Sequence, residues 1–506
     1  MRSAIALAHS RAVRTVSTRN TVAGQAMVLG LVLILVLCVG AVLLFNTGQV
    51  VNKKVELVNA ADAAAYSVAV QQARALNYAA YMNRARVANE VAIAQTISLY
   101  SWLNQMHTTS IVIQTALDIM SVIPYVGPVF KALAQAFKAA GRVLKATRQA
   151  FQPVAQAAVV AIDELNNIFA TSTLAVIEGV SRIDSFTIAK DVLRKNSPNA
   201  ELGTIGTGVL GAQLVTAENK LLTLYRIPRT GVGNAAQRAG ADRFRNVVMQ
   251  SRDGFTKNRS DDFLGFMVQS GGTDMVDYNR WVALDTMAIE LPLPFPADDI
   301  DIPVGWGGAQ AVTSYRNQAF LQGFGNGQGW YSDWDRKRYR PYGEAVRRNR
   351  GAAKLVSGDP NVRLAGGQRR RAYVTGYNGL RDYHDVKKDQ AMLPYAENDK
   401  DRGKVGPVFT VYAESAIANA RTTATNGMGP PAGSRMAMQD KAVGNKLAAL
   451  SSAQVYFHRP VNLALFRRSD GKREIGNLFS PYWQARLVGT DDTTKAALAA
   501  AGALMP

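Results

Sequence analysis

The sequence predicts an α+β chain. A single N-terminal transmembrane helix runs on into a long helical hairpin or stalk, and a mixed α+β periplasmic domain with long loops follows. Three observations carry this reading. Residues Ala26–Phe45 (AMVLGLVLILVLCVGAVLLF) hold no charge and no proline. From Gln49 to about Met120 the chain is rich in alanine, without proline, and without glycine until Gly127. After Asn196-Ser197-Pro198 glycines and aromatics become frequent and helical periodicity fades. The corresponding segments are a basic cytoplasmic tail (1–22), the membrane helix (23–46), the helical hairpin or stalk (47–195) and the mixed domain (196–506).

At about 1.5 Å per residue, the apolar run is long enough to cover the roughly 30 Å hydrocarbon core of a bilayer. Only a helix satisfies its own backbone polar groups there. Ala26, Leu31, Leu35, Val39 and Phe45 mark this anchor, whose partner is the lipid bilayer. Arg2, Arg11, Arg14 and Arg19 precede it with no acidic residue, whereas Lys53, Lys54 and Glu56 are the first charges beyond it. Positive charge is retained in the cytoplasm, so the bulk of the chain is expected outside, in a single-pass bacterial inner-membrane arrangement. Three rival readings are weaker. Val39-Gly40-Ala41 offers a signal-peptide cleavage site, but apolar residues continue to Phe45. Cys38 as a lipoprotein signal is opposed by Leu37 before it. A buried soluble helix is opposed by the lack of any polar face.

The next element continues the helix. Val51, Val55, Val58, Ala65, Val68, Ala69, Leu76, Ala80, Val87, Val91 and Ile97 recur at three- and four-residue steps. A kink is expected near Asn46-Thr47-Gly48. Pro124 and Gly127-Pro128 end this helix, and a second stretch is expected from about Val129 to Lys190, with Pro153 as a kink or boundary. Lys131, Lys138, Arg142, Lys145 and Arg148 give its first half a basic face. Strands are predicted at Trp281–Leu291, Arg371–Tyr377, Val405–Glu414 and Gln454–His458. The alanine-rich Thr493–Leu504 is predicted as a short helix.

The 506 residues carry 58 Lys and Arg against 38 Asp and Glu, a net charge of +20. That balance suits nucleic acid, an anionic envelope surface or an acidic partner, and export disfavours nucleic acid. The densest basic segment, Arg336–Arg371, holds twelve basic residues against Glu344 and Asp359. Arg336, Lys337, Arg338, Arg347, Arg348, Arg369, Arg370 and Arg371 are the candidate partner-binding patch, with a solvated face as the plainer reading. The one cysteine rules out an intramolecular disulfide and a cysteine-based metal site.

Gly24-Gln25-Ala26-Met27-Val28, the apolar run, and Asn59-Ala60-Ala61-Asp62-Ala63-Ala64-Ala65 together resemble the N-terminus of TadE/TadG-like proteins of tight-adherence (Flp) pilus-assembly systems. Gly24, Gln25, Asn59, Ala60, Asp62 and Ala63 carry the likeness, which covers roughly residues 20–75. It implies a membrane-anchored assembly component whose partners are other pilus-assembly or secretion proteins. Leu478–Leu487 (LFSPYWQARL) resembles a closing motif of long members of that group. Phe479, Tyr482 and Trp483 also read as a buried aromatic anchor. Two features depart from the family. Leu29 stands where processed pilins offer Glu, and no Asp-x-Ser-x-Ser metal motif is present.

The four histidines are His9, His107, His384 and His458. His107 is expected on a polar helix face. Tyr383-His384-Asp385 is the one cluster with a catalytic flavour, and a loop pairing is the simpler account. Gly323–Gly329 lacks the lysine of a phosphate loop. Asp298, Asp299 and Asp301 lack the further ligands of a calcium loop. No catalytic, cofactor-binding or metal residue is assigned. The expected function is therefore non-enzymatic tethering of a large partner-binding domain. A membrane-anchored cell-wall hydrolase and an exported adhesion protein are the alternatives.

Overall fold

A computed structural model of the chain describes residues 19–228, 234–263, 266–291, 300–314, 371–387, 406–423, 446–459, 465 and 474–500. Helix α1, Arg19–Met120, runs for 102 residues. Its alanines are the best helix formers, and no proline interrupts its hydrogen bonds. Helical assignment is continuous through Asn46–Gly48. A Cβ on Gly48 would meet nothing within 4 Å, so this glycine serves no close approach.

The chain reverses over residues 121–126. Tyr125 adopts a φ of 69°, rare for a bulky residue. A Cβ on Gly127 would lie 2.3 Å from the Ser121 carbonyl oxygen, so only glycine fits the turn. Helix α2, Gly127–Ala175, then opens with Pro128 in its first turn, where a missing N–H costs nothing. Pro153 lies inside α2 and does not end it. It faces solvent, where water can satisfy the carbonyl it leaves free. The interruption falls later, in a π-helical turn at Val176–Val180, before α3, Ser181–Asn196. Helix α4, Gly203–Leu221, strand β1, Leu222–Tyr225, helix α5, Ala235–Ser251, and a single turn α6, Gly254–Lys257, follow.

The strands form three sheets. The largest comprises β2 (Asp261–Phe263), β3 (Met267–Asp277), β4 (Arg280–Leu291), β5 (Ile300–Ala311) and β6 (Arg371–Val374) in that order. Its neighbours are antiparallel except β5 and β6. Strand β7 (Tyr383–Val386) pairs with β1. Strands β8 (Val408–Ala416), β9 (Lys446–Phe457) and β10 (Trp483–Val488) form the third sheet, with β9 central. A strand lies at each of the four predicted places, β6 ending at Val374 short of the predicted Tyr377 and β9 beginning eight residues before the predicted Gln454. Helix α7, Asp492–Ala500, closes the described chain. Strand β4 lacks alternation because Trp281–Ala288 are buried on both faces.

Helix α1 is the spine on which these layers are built. Its Leu57, Ala61, Ala64 and Val68 pack with Leu193 of α3, Leu210 of α4, Val411 of β8, Val455 of β9 and Trp483 of β10. Further along, Ile93, Ala94 and Ile97 pack with Phe244, Trp281, Tyr377 and Tyr383. The helical region and the strand region therefore share their cores. On β5, a Cβ at Gly307 would sit 2.3 Å from the Gln105 backbone nitrogen and 2.5 Å from the Ser101 carbonyl oxygen. Two backbones touch there, which only glycine permits. Beyond Thr109 the ends of α1 and α2 project past the sheets, and Ile119, Val122 and Tyr125 are exposed.

Candidate membrane anchor and its junction with the fold

From Gln25 to Phe45 every side chain of α1 is exposed or half-buried. Ala26, Leu31, Leu35 and Phe45 are exposed and Val39 is half-buried, while Cys38 is exposed among them. A contiguous apolar surface of this length marks a contact with a membrane or another protein. It is the one helix among the described residues long and apolar enough to cross a membrane. Gly24 lies within α1 and Gln25 is exposed beside it.

Contact with the fold begins at Asn46. Its amide donates to the Thr423 hydroxyl at 2.9 Å, and its oxygen accepts the Thr423 N–H at 2.8 Å. Lys53 is buried and donates to Glu56 at 2.7 Å and to the Ser197 hydroxyl at 3.1 Å. The bond from Lys53 holds the Glu56 carboxyl below its usual range. Lys54 caps the Ala448 carbonyl at the start of β9. The anchor is thus locked to three separate chain segments within about three helical turns of its end. In the Asn59–Ala65 motif the alanines Ala60, Ala61, Ala64 and Ala65 are fully buried, Asn59 is exposed, and Asp62 and Ala63 are half-buried. The motif therefore supplies close packing on one face and leaves polar groups on the other.

Further along α1, polar side chains grip distant backbone. Asn83 donates to the Leu478 carbonyl at 2.8 Å and the His384 carbonyl at 3.2 Å. Arg86, fully buried over the Phe244 ring, donates to the Arg381 carbonyl at 2.6 Å and the Asp382 carbonyl at 3.2 Å. Burial lowers its guanidinium to about 10. Glu90 accepts from the Trp281 indole at 3.0 Å, the Tyr377 hydroxyl at 2.7 Å and the Asn166 amide at 3.1 Å. Burial raises its carboxyl to about 6, against the pull of the indole and phenol donors. Sequence reasoning missed these groups. The signal was present, because Asn83, Arg86 and Glu90 recur at three- and four-residue steps on the phase of buried Ala79, Val87 and Ala94.

In the Tyr383-His384-Asp385 cluster the histidine and the aspartate take separate partners. Asp385 bonds the Arg243 guanidinium at 2.6 Å and accepts the N–H groups of Leu478 and Val386, each at 2.8 Å. His384, its neighbour on the strand, lies 3.7 Å from Glu178 instead, as the alternation of a strand requires. Burial lowers the His384 imidazole. His107 is buried at 4% exposure, which corrects the expected polar-face position. This part of α1 is packed by both β5, at Gln105 and Thr109, and α2, at Ser110.

The C-terminal motif is held as an anchor. Leu478 and Trp483 are buried, Phe479 packs against Phe244 and Tyr383, and Trp483 packs edge-on against Phe457. The Trp483 indole donates to the Asn477 carbonyl at 3.1 Å. A cleft of about 650 Å³ is lined by Lys190, Arg194, Glu201, Thr204, Glu414 and Lys446. Its Lys446 and Glu414 are bonded to each other at 2.6 Å rather than aimed at a common point. Among the described residues no group of three His, Cys, Asp or Glu side chains converges as a metal site.

His9, Asp298, Asp299, Gly323–Gly329 and the basic residues Arg336, Lys337, Arg338, Arg347, Arg348, Arg369 and Arg370 lie outside the described residues. Asp301 pairs with Glu290 in β5, and Arg371 pairs with Gly308 at the start of β6.

A family model described as Flp pilus-assembly TadE/G-like matches residues 24–72. The match begins where the apolar run begins and ends within the buried alanine face of α1. No curated protein and no solved structure matches the chain.

Proposed function

We propose that the chain is a non-enzymatic, membrane-anchored component of a tight-adherence (Flp) pilus-assembly or related secretion apparatus. The observation that carries this reading is a coincidence. The residues matching the TadE/G-like family, 24–72, contain both the exposed apolar stretch and the buried alanine face on which the fold is built. Arg19 and the arginines before it keep the N-terminus in the cytoplasm, and the body lies in the periplasm. The anchor tethers, α1 carries the domain, and the domain meets other pilus-assembly proteins. Leu29, in place of a processed pilin's Glu, makes the helix a permanent tether rather than a polymerising subunit.

The test is genetic. A strain lacking the chain should lose Flp filaments, seen by electron microscopy, and regain them with the wild-type chain. A chain carrying Leu31→Arg and Leu35→Arg should not restore them, since each charge at the bilayer centre costs about 3 kcal/mol. Normal filaments in the deletion strain would overturn the proposal. Loss of a cell-wall-degrading activity in that strain would favour the hydrolase reading.

A further inference from the structure

The far end of α1 carries a second apolar surface, remote from the anchor. Ile119, Val122, Ile123, Tyr125, Val126, Val129 and Leu133 are all exposed or nearly so, Val122 at 83% and Tyr125 fully. They are spread over the end of α1, the turn itself and the start of α2 rather than confined to one helix. Tyr125 is held outward by its left-handed backbone. Behind the tip, exposed Lys131, Lys138, Arg142 and Lys145 stud α2. From Ile111 to Ala150 the only acidic residue is Asp118, which is paired with Lys131 at 3.0 Å. An apolar tip backed by a basic helix suits insertion into an anionic lipid interface. A protein groove would ask for apolar residues on one face only.

The position excludes the anchoring bilayer. Asn46 and Met120 are 74 residues apart on one uninterrupted helix, about 110 Å at the helical rise. We infer that the α1–α2 tip inserts into a second, opposing anionic lipid surface, so that the chain bridges two membranes. This rests on the anchor reading above.

The test uses the full chain in phosphatidylcholine proteoliposomes. Cys38 is the sole cysteine, so Cys38→Ala with Val122→Cys takes one polarity-sensitive fluorophore at the tip. Protein-free vesicles of phosphatidylglycerol and phosphatidylcholine are then added. The expected result is a blue-shifted emission and clustering of the two vesicle populations. Both should weaken as salt rises from ~0.15 M to ~1 M, which shortens the screening length from about 8 Å to about 3 Å. Ile119→Asp with Tyr125→Asp, both at exposed positions, should weaken clustering at least tenfold, roughly the worth of one lost apolar side chain. An unchanged emission with every vesicle overturns the inference and leaves a protein groove as the occupant. Flotation of the donor vesicles reads the anchor separately. A chain that floats but shows no tip response sinks this inference alone, and one that fails to float sinks the anchor reading with it.

Discussion

Asn77 of α1 and Trp483 of β10 are joined twice through one side chain. The Asn77 amide donates to the Trp483 carbonyl at 2.9 Å, and its oxygen accepts the Trp483 N–H at 3.0 Å. A helix side chain thus imitates a neighbouring strand and fixes where the C-terminal segment begins its pairing with β9. Asn77→Ala leaves both backbone groups without this partner, at about 1–3 kcal/mol. Limited proteolysis should then cut within residues 477–488 while the rest of the fold stays protected. Equal resistance of the two proteins would show that the aromatic packing alone holds this segment.

Arg259 and Asp285 form a buried pair, Nε to Oδ1 at 2.7 Å and Nη2 to Oδ2 at 3.1 Å. Both side chains are almost wholly enclosed. Arg259→Met strands a buried carboxylate and should cost about 3–5 kcal/mol in denaturant unfolding. Adding Asp285→Leu removes the stranded charge and should recover most of that loss. A double variant as unstable as the single one would count against the pairing as the cause.

The Glu90 carboxyl, raised by burial from an ordinary 4.5 to about 6, sets a pH dependence. The folded chain keeps this proton to higher pH than the unfolded chain. Its contribution to stability is therefore greatest below about 4.5 and falls as pH climbs to about 6. Glu90→Gln removes that step. Between pH 4.5 and 6.5 the wild type should lose about 1.5 kcal/mol relative to the variant. Parallel stability–pH curves would show that Glu90 is not the group responsible.

Two glycines should respond oppositely to alanine. Gly307→Ala drives a Cβ into the Gln105 backbone and should cost about 3 kcal/mol by overpacking. Gly208 lies exposed in α4 with nothing within 4 Å of the added atom. Gly208→Ala should stabilise by about 1 kcal/mol. Thermal unfolding of the pair separates steric contact from backbone entropy, and a shift of the same sign in both would refute the contact.

The elements readable in the sequence were those fixed by local pattern. The apolar run, the three- and four-residue spacing after Gly48, the Gly127-Pro128 turn and four strand positions all show in composition and period. Pro153 is no boundary because a proline on a solvent-facing turn can be tolerated inside a helix, and the π-helical turn at Val176–Val180 has no sequence mark comparable to it. The site was legible only in part. Exposure of Ala26–Phe45 follows from composition, but the clamp of Asn46 on Thr423 joins residues 377 apart. Likewise, no local pattern says that β5 would lie on Gln105, or that His107 would be enclosed. Long-range packing decides such contacts, and an alanine-rich helix advertises only that something can approach it closely.

Helix α1 also has a mechanical consequence. It passes from the anchor through the whole fold without a break, so it has no joint at which a change of angle can be absorbed. Rotating it by roughly 20°, an ordinary tilt for a membrane helix, would sweep its outer end sideways by about 40 Å over its 110 Å reach. On the anchor reading proposed above, the bilayer would be the fulcrum of this lever. Small rearrangements around residues 26–45 become large displacements at Tyr125.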